Sequence, residues 1–263
     1  MSQEARRGLL PSVPVLSSMA RPQTPDRQIA GASEIDAALR SGAPIELILV
    51  RRDTKDPAVL AVVKLAVDAG IRMRRVGSTV LGRVSRSEPP ADILALVGRA
   101  PGAGLDEVLA NTGAVWLLAG VSYPSNAGMA IRTAEVSGAD GMIIDAGFGA
   151  AARRFALRIS VRSDWYMPVL WRRAEEVLDV AAAAGRCIIG IEHVGTEAPW
   201  EVDLTGRTLF VVGGESDGIS SEVLERCHRI VRIPMAGFIP SYNLQAAVAA
   251  VAVERLRQSE MLE

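Results

Sequence analysis

Short apolar runs alternate with helix-like stretches along nearly the whole chain, and this alternation is what most narrows the fold. Residues 45–50, 71–76 and 93–97 read as strands, and helical patterns over 33–40 and 57–69 stop at Gly42 and Gly70. The Pro101-Gly102-Ala103-Gly104 stretch breaks the pattern and is the candidate linker. Beyond it, strands are expected at 114–121, 142–144, 165–170, 187–191, 209–212 and 230–233. Helices are expected over 126–136, 172–184 and 242–258. Pro168 makes the 165–170 strand an edge or irregular one. Strands alternating with helices predict an α/β fold whose parallel sheet is covered on both faces.

The length, 263 residues, fits one large domain or two modest ones. With 49% hydrophobic and only 4% aromatic residues, aliphatic side chains must fill the core. The expected division is a flexible tail over 1–25, marked by Pro11, Pro14, Pro22 and Pro25, a small α/β domain over 26–103, and a larger one over 104–263. The formal net charge of −1 excludes a general nucleic-acid glue. Lysine occurs only at Lys55 and Lys64, so positive charge is carried by arginine, which grips phosphate bidentately and stacks on bases. Cys187 and Cys227 are far apart and read as ordinary thiols of a reducing compartment, with no metal-ligand spacing. No apolar run is long enough for a membrane span and no secretory start is visible, which places the protein in the cytoplasm.

Three segments carry chemistry. Tyr123-Pro124-Ser125-Asn126-Ala127-Gly128 runs on to Arg132 directly after an apolar strand, where an α/β sheet places its ligands. Val212-Gly213-Gly214-Glu215-Ser216-Asp217-Gly218-Ile219 follows another strand; its glycines admit a ligand to the backbone, and Glu215 disfavours a phosphate loop. Ile233-Pro234-Met235-Ala236-Gly237 precedes Ser241-Tyr242-Asn243-Leu244 at the start of the last helix, with Ser241 as candidate N-cap. Each alone has a plain reading as a cap, a tight turn or a solvated charge.

Together, in this order and spacing across roughly 113–256, they resemble the three signatures of the SpoU/TrmH branch of the SPOUT methyltransferases. Asn126, Gly128 and Arg132 match the first; Gly213, Glu215, Gly218 and Ile219 the second; Ile233 to Gly237 with Ser241 and Asn243 the third. The resemblance implies a trefoil-knotted catalytic domain, an exception to unknotted chains. It also implies a homodimer whose active site is completed across the two-fold axis. Residues 26–100 are similar, more weakly, to the RNA-binding domain many members carry, itself like a small ribosomal protein.

The implied reaction is methyl transfer from S-adenosylmethionine to a ribose 2′-hydroxyl of structured RNA. Ribosomal RNA is favoured, as in enzymes that include antibiotic-resistance types; transfer RNA stays open. Gly213, Gly214, Gly218, Ile233, Met235, Ser241, Tyr242 and Leu244 would hold the cofactor. Asn126, Arg132, Glu215, Ser241 and Asn243 would face the ribose, with Arg132 as general base or as phosphate clamp. Arg27, Arg158 and Arg162 are candidate RNA contacts, with Arg51, Arg52, Arg72, Arg74 and Arg75 on the smaller domain. The apolar stripe Leu244, Ala247, Val248 and Val251 is the candidate dimer face. No metal is implied.

Two positions depart from the family pattern: Tyr242 replaces a leucine, and Arg162 replaces the glycine of an R-x-S-x-G element. Two rival readings stand beside this one. A non-catalytic RNA-binding relative would keep the fold and lose transfer. A nucleotide-dependent enzyme of ordinary doubly wound fold would want an early glycine fingerprint, which the ends of the first strands lack.

Overall fold

The computed structural model describes residues 28–85, 87–97, 101–239 and 241–260. The tail expected over 1–25 lies outside the described residues, as does Arg27.

Two sheets are formed. The first unit runs β1 (Gln28–Ala30), α1 (Ala32–Arg40), β2 (Ile45–Arg51), α2 (Pro57–Asp68), β3 (Met73–Val76), α3 (Ser78–Val84) and β4 (Ile93–Val97). Helix α2 begins where Asp56 accepts the Ala58 amide at 2.9 Å and Pro57 takes the first helical position. It ends at Gly70, with φ +69°. The strand order is β1-β4-β2-β3. Only β2 and β3 are parallel; β4 lies antiparallel between β1 and β2. This corrects the all-parallel expectation. Parallel pairing needs a helical crossover, which α2 supplies, whereas β4 slots in from the opposite direction and needs none to pair with β1 and β2.

The second unit runs α4 (Leu105–Ala110), β5 (Val115–Ala119), α5 (Pro124–Val136), β6 (Gly141–Asp145), α6 (Ala150–Ile159), β7 (Val169–Trp171), α7 (Ala174–Ala183), β8 (Cys187–Ile191), β9 (Thr208–Gly213), α8 (Ser221–Leu224), β10 (Arg229–Val231) and α9 (Leu244–Glu260). Its six strands are all parallel, in the order β10-β8-β9-β5-β6-β7. Every strand therefore ends at the same edge. The expected strand over 165–170 is smaller and later: Ser163–Trp165 is a 3-10 turn, and β7 is a three-residue edge strand after Pro168.

Residue parity sorts the core. Trp116, Leu118, Phe210 and Val212 face α5 and α9, with Trp116 and Phe210, cross-strand partners, stacked at 4.7 Å. Val115, Leu117, Leu209 and Val211 face α4 and α7. Leu244, Val248 and Val251 of α9 are fully enclosed in this core. The stripe expected to form a dimer face is therefore spent on the protein's own sheet. The two units meet where Trp165 and Tyr166 pack against Leu47, Leu49 and Leu94, and the Arg74 guanidinium lies 4.3 Å from the Trp165 ring centre. Burial there pushes the Tyr166 hydroxyl up to about 12.

One buried charge staples the sheet edge away from the strand ends. Arg186, in the turn after α7, is 2% exposed. It donates to the carbonyls of Leu109, Asn111, Gly113 and Thr208 at 2.6–3.1 Å and to that of Val108 at 3.3 Å. Burial pulls its pKa down to about 10, still charged at neutral pH. Replacing Arg186 with Leu strands these carbonyls, and about 3 kcal/mol of stability should be lost. Urea unfolding checks this; a loss below about 1 kcal/mol would contradict the staple.

Candidate active site

The three sequence segments converge at the shared strand edge. Strand β5 is followed directly by Gly120, with φ +82°, and β9 ends at Gly213, with Gly214 next. The two strands pair, Ala119 opposite Gly213. A Cβ on Gly214 would collide with the Gly120 carbonyl, and one on Gly213 with the Gly218–Ile219 backbone. Both glycines are demanded by backbone packing. The turn closes through the Gly218 amide, which donates to the Gly214 carbonyl at 3.2 Å.

This turn carries Glu215 across to the next element. Its carboxylate accepts the Ser122 amide at 2.8 Å and the Asn126 side-chain amide at 2.7 Å. Asn126 is in the first turn of α5, whose cap position is Tyr123, so its side chain is free for this contact. The Asn126 carbonyl oxygen in turn accepts the Asn243 amide at 3.3 Å. Asn243, not Ser241, caps α9: its Oδ1 accepts the Gln245 amide at 3.0 Å. The chain Asn243–Asn126–Glu215 thus joins all three segments, and a carboxylate at its end orients both amides.

Beside this chain lies a cavity of about 580 Å³, lined by Asn126, Glu215, Ser241 and Asn243, by the turn over 213–218, and by Ile233, Met235, Tyr242 and Leu244. That size suits a drug- or cofactor-sized ligand. The Tyr242 hydroxyl donates to the Pro234 carbonyl at 3.1 Å, so this departure from the family pattern ties the two ends of the last loop together. Gly128 serves differently: a Cβ there would meet the Ala156 carbonyl at 2.5 Å, so it is the point where α5 and α6 touch.

Arg132 is not in the cavity. It lies on the exposed side of α5, one turn from exposed Met129. Arg158 and Arg162 are also exposed and outside the cavity. Arg162 has φ +64°, and Val161 φ +54°. A left-handed residue at this turn is why a glycine suits the position, and Arg162 holds it at a conformational cost. On the first unit, Arg51 is engaged by Asp53 and Asp92 and Arg74 by Trp165, which weakens both as free RNA contacts.

Glu192, His193 and Arg232 line the cavity and carry no sequence signal beyond their place after β8 and β10. Glu192 accepts the Ile219 amide at 2.9 Å and, through its other oxygen, the His193 amide at 2.9 Å and the His193 ring nitrogen at 2.7 Å. Gly218, with φ +65°, leaves room for this carboxylate. Burial raises the Glu192 pKa, but the amide and ring hydrogen bonds outweigh it, and the net shift is downward.

Residues 114–253 match the SpoU rRNA Methylase family, and residues 28–101 match a domain described as RNA 2'-O ribose methyltransferase substrate binding. The chain belongs to the SpoU rRNA methylase family. Members use S-adenosylmethionine. The 23S rRNA (guanosine(2553)-2'-O)-methyltransferase RlmP of Bacillus subtilis is 29% identical, over 87% of each chain. An uncharacterized tRNA/rRNA methyltransferase of Mycolicibacterium smegmatis is 31% identical over 88% of this chain and 76% of its own length. Among solved structures, the SpoU methyltransferase AviRb of Streptomyces viridochromogenes shares the fold, with TM-score 0.58 at 24% identity over 90% of each chain.

Because the folded pKa of Glu192 is lowered, its contribution to stability is present above the ordinary value of 4.5 and is lost as pH falls through the folded value. The stability gap between wild type and Glu192→Gln should therefore be widest at neutral pH and narrow below that value. Denaturant titrations across this pH range test it; a gap independent of pH would contradict the assignment.

Proposed function

We propose that this SpoU-family enzyme transfers a methyl group from S-adenosylmethionine to a ribose 2′-hydroxyl of ribosomal RNA. The observation that carries the reading is the Asn243–Asn126–Glu215 chain at the rim of a cofactor-sized cavity. The cavity suits the cofactor chemically. Ile191, Val212, Ile233 and Leu244 offer an apolar bed for adenine, and the tight turn over 213–218 exposes backbone groups to its polar edge. When bound, S-adenosylmethionine supplies an already activated methyl group.

The chain's own residues then need only place the hydroxyl in line with the methyl group and receive its proton. The Asn126 and Asn243 amides, held by Glu215, are set to orient the ribose. Glu215 already accepts two hydrogen bonds, which suits it to holding Asn126 rather than to taking the proton. Arg132 remains as base or phosphate clamp, and a guanidinium gives up its proton only with difficulty, which favours the clamp. Ribosomal RNA is favoured over transfer RNA by the family description and by the similarity to a 23S ribosomal RNA methyltransferase. In the same reading, residues 26–103 bind RNA, residues 104–263 catalyse, the loops over 213–243 form the family's trefoil knot, and the enzyme works in the cytoplasm.

The position of Arg132 supports a homodimer. It does not line the cavity of its own subunit and lies on the exposed side of α5, where a second copy docked on that face would receive it. Met129 and Val136 on α5 and Val253 and Leu256 on α9 are exposed apolar residues of these two helices, in place of the enclosed stripe.

Two experiments test this. Tritium transfer from labelled S-adenosylmethionine to unmodified 23S ribosomal RNA and to bulk transfer RNA transcripts should label the first. Absence of label in both would sink the reading. Arg132→Ala and Glu215→Gln should each lose at least about a hundredfold in turnover. Subunits of the two variants, unfolded and refolded together, should recover about a quarter of wild-type activity, since half the dimers are mixed and each holds one intact site. No recovery on mixing would place Arg132 and Glu215 in one subunit's site.

A further inference from the structure

The strand edge that ends in the cavity continues past α5 to an aromatic pair. Paired residues run in a row across the sheet: Val212 of β9, Leu118 of β5, Ile144 of β6 and Trp171 of β7. All four belong to the same face. Val212 lines the cavity. Trp171 therefore stands three strand spacings away, about 14 Å, at the same edge and on the same face.

There Trp171 meets Phe148, which follows β6, with ring centres 5.9 Å apart. Both rings are half-buried: one side packs on the core and the rest meets solvent. What covers Trp171 on its outer side is a guanidinium, since Arg153 of α6 lies 5.0 Å from the ring centre. Arg153 is held by its Nε, which donates to the Phe148 carbonyl at 2.9 Å. Arg154 and Arg158 continue the exposed basic face of α6, and among the described residues none of these three arginines makes an ion pair with a carboxylate. An aromatic floor, a fixed guanidinium plane and uncompensated positive charge form the combination that receives an unpaired base and its phosphate.

We propose that Phe148, Trp171 and Arg153 form a stacking platform for an unpaired base of the RNA strand, a few nucleotides from the ribose in the cavity. The proposal rests on the reading of the protein as an RNA methyltransferase and adds how the strand is held in register. The platform contributes RNA affinity and leaves the cofactor and the transfer step untouched.

The test uses the full chain as wild type, Trp171→Ala, Trp171→Phe and Arg153→Ala. S-Adenosylhomocysteine calorimetry confirms that each variant is folded. In methyl transfer to 23S transcripts, Trp171→Ala and Arg153→Ala should raise KM for RNA about tenfold, with kcat within about twofold, and Trp171→Phe should restore KM to within about threefold of wild type. A single-stranded RNA of about a dozen nucleotides carrying 2-aminopurine should be quenched on binding wild type and Trp171→Phe, and far less on binding Trp171→Ala. Unchanged KM and unchanged quenching in Trp171→Ala and Arg153→Ala would overturn the platform. So would an unchanged KM accompanied by a shift in oligomeric state, which would make the patch a protein contact. If Trp171→Ala fails to bind S-adenosylhomocysteine, Arg153→Ala decides by the same criterion. If wild type methylates neither ribosomal nor transfer RNA, the functional reading fails, and the quenching experiment alone decides whether the platform stacks bases.

Discussion

Two parallel strands touching backbone to backbone at their ends set the position of everything else in the site. Gly214 lies against the Gly120 carbonyl with no room for a Cβ, and Gly213 lies as close to the backbone at Gly218 and Ile219. This contact lets the turn after β9 lean over the start of α5. From there Glu215 reaches Ser122 and Asn126. A side chain at either glycine would push the turn away, and Glu215 would lose the amides it aligns. From the other side, Glu192 grips the Ile219 amide, so the turn is held between the ends of β5 and β8. A loop fixed at both shoulders holds Glu215 in one place relative to α5.

Much of this was legible because of burial. Strands β5 and β9 are enclosed on both faces, so they appear as continuous apolar runs, and the motifs follow directly after them. Strand direction in the smaller unit was not legible, because an apolar run looks the same whichever way it enters a sheet. Helix α6 is not among the helices expected from the sequence, because its last residues fall in the 158–162 element and its short run of alanines and arginines carries little apolar signal. Arg186 and Glu192 were invisible for a different reason. Each is a single charged residue with decisive partners distant in sequence, up to 78 residues away for Arg186 and 27 for the Ile219 amide held by Glu192. Only the fold brings them together.

The cap of α9 shows how a motif residue can carry two duties. Sequence placed Ser241 at the cap because serine is a good one. The structure gives that role to Asn243, whose Oδ1 accepts the helix amide while its Nδ2 donates to Asn126. A serine hydroxyl has one proton and could not do both across this span; the two ends of an amide can. The asparagine of the third segment is therefore explained by helix capping and site geometry at once, with Ser241 left on the cavity wall.

Charge in this chain is organised locally. A net charge of −1 offers no long-range attraction to RNA, so steering must come from patches. Salt will therefore weaken RNA binding in proportion to the few phosphates such patches touch. The near-absence of lysine suits this arrangement, because a guanidinium can lie flat on a ring where an ammonium cannot. Arg74 on Trp165 and Arg153 on Trp171 are the same device put to two uses. The first bridges the two units, with Arg74 itself exposed at their junction. The second stands at the edge of the sheet, on the face where the cavity opens, with no second unit to cover it.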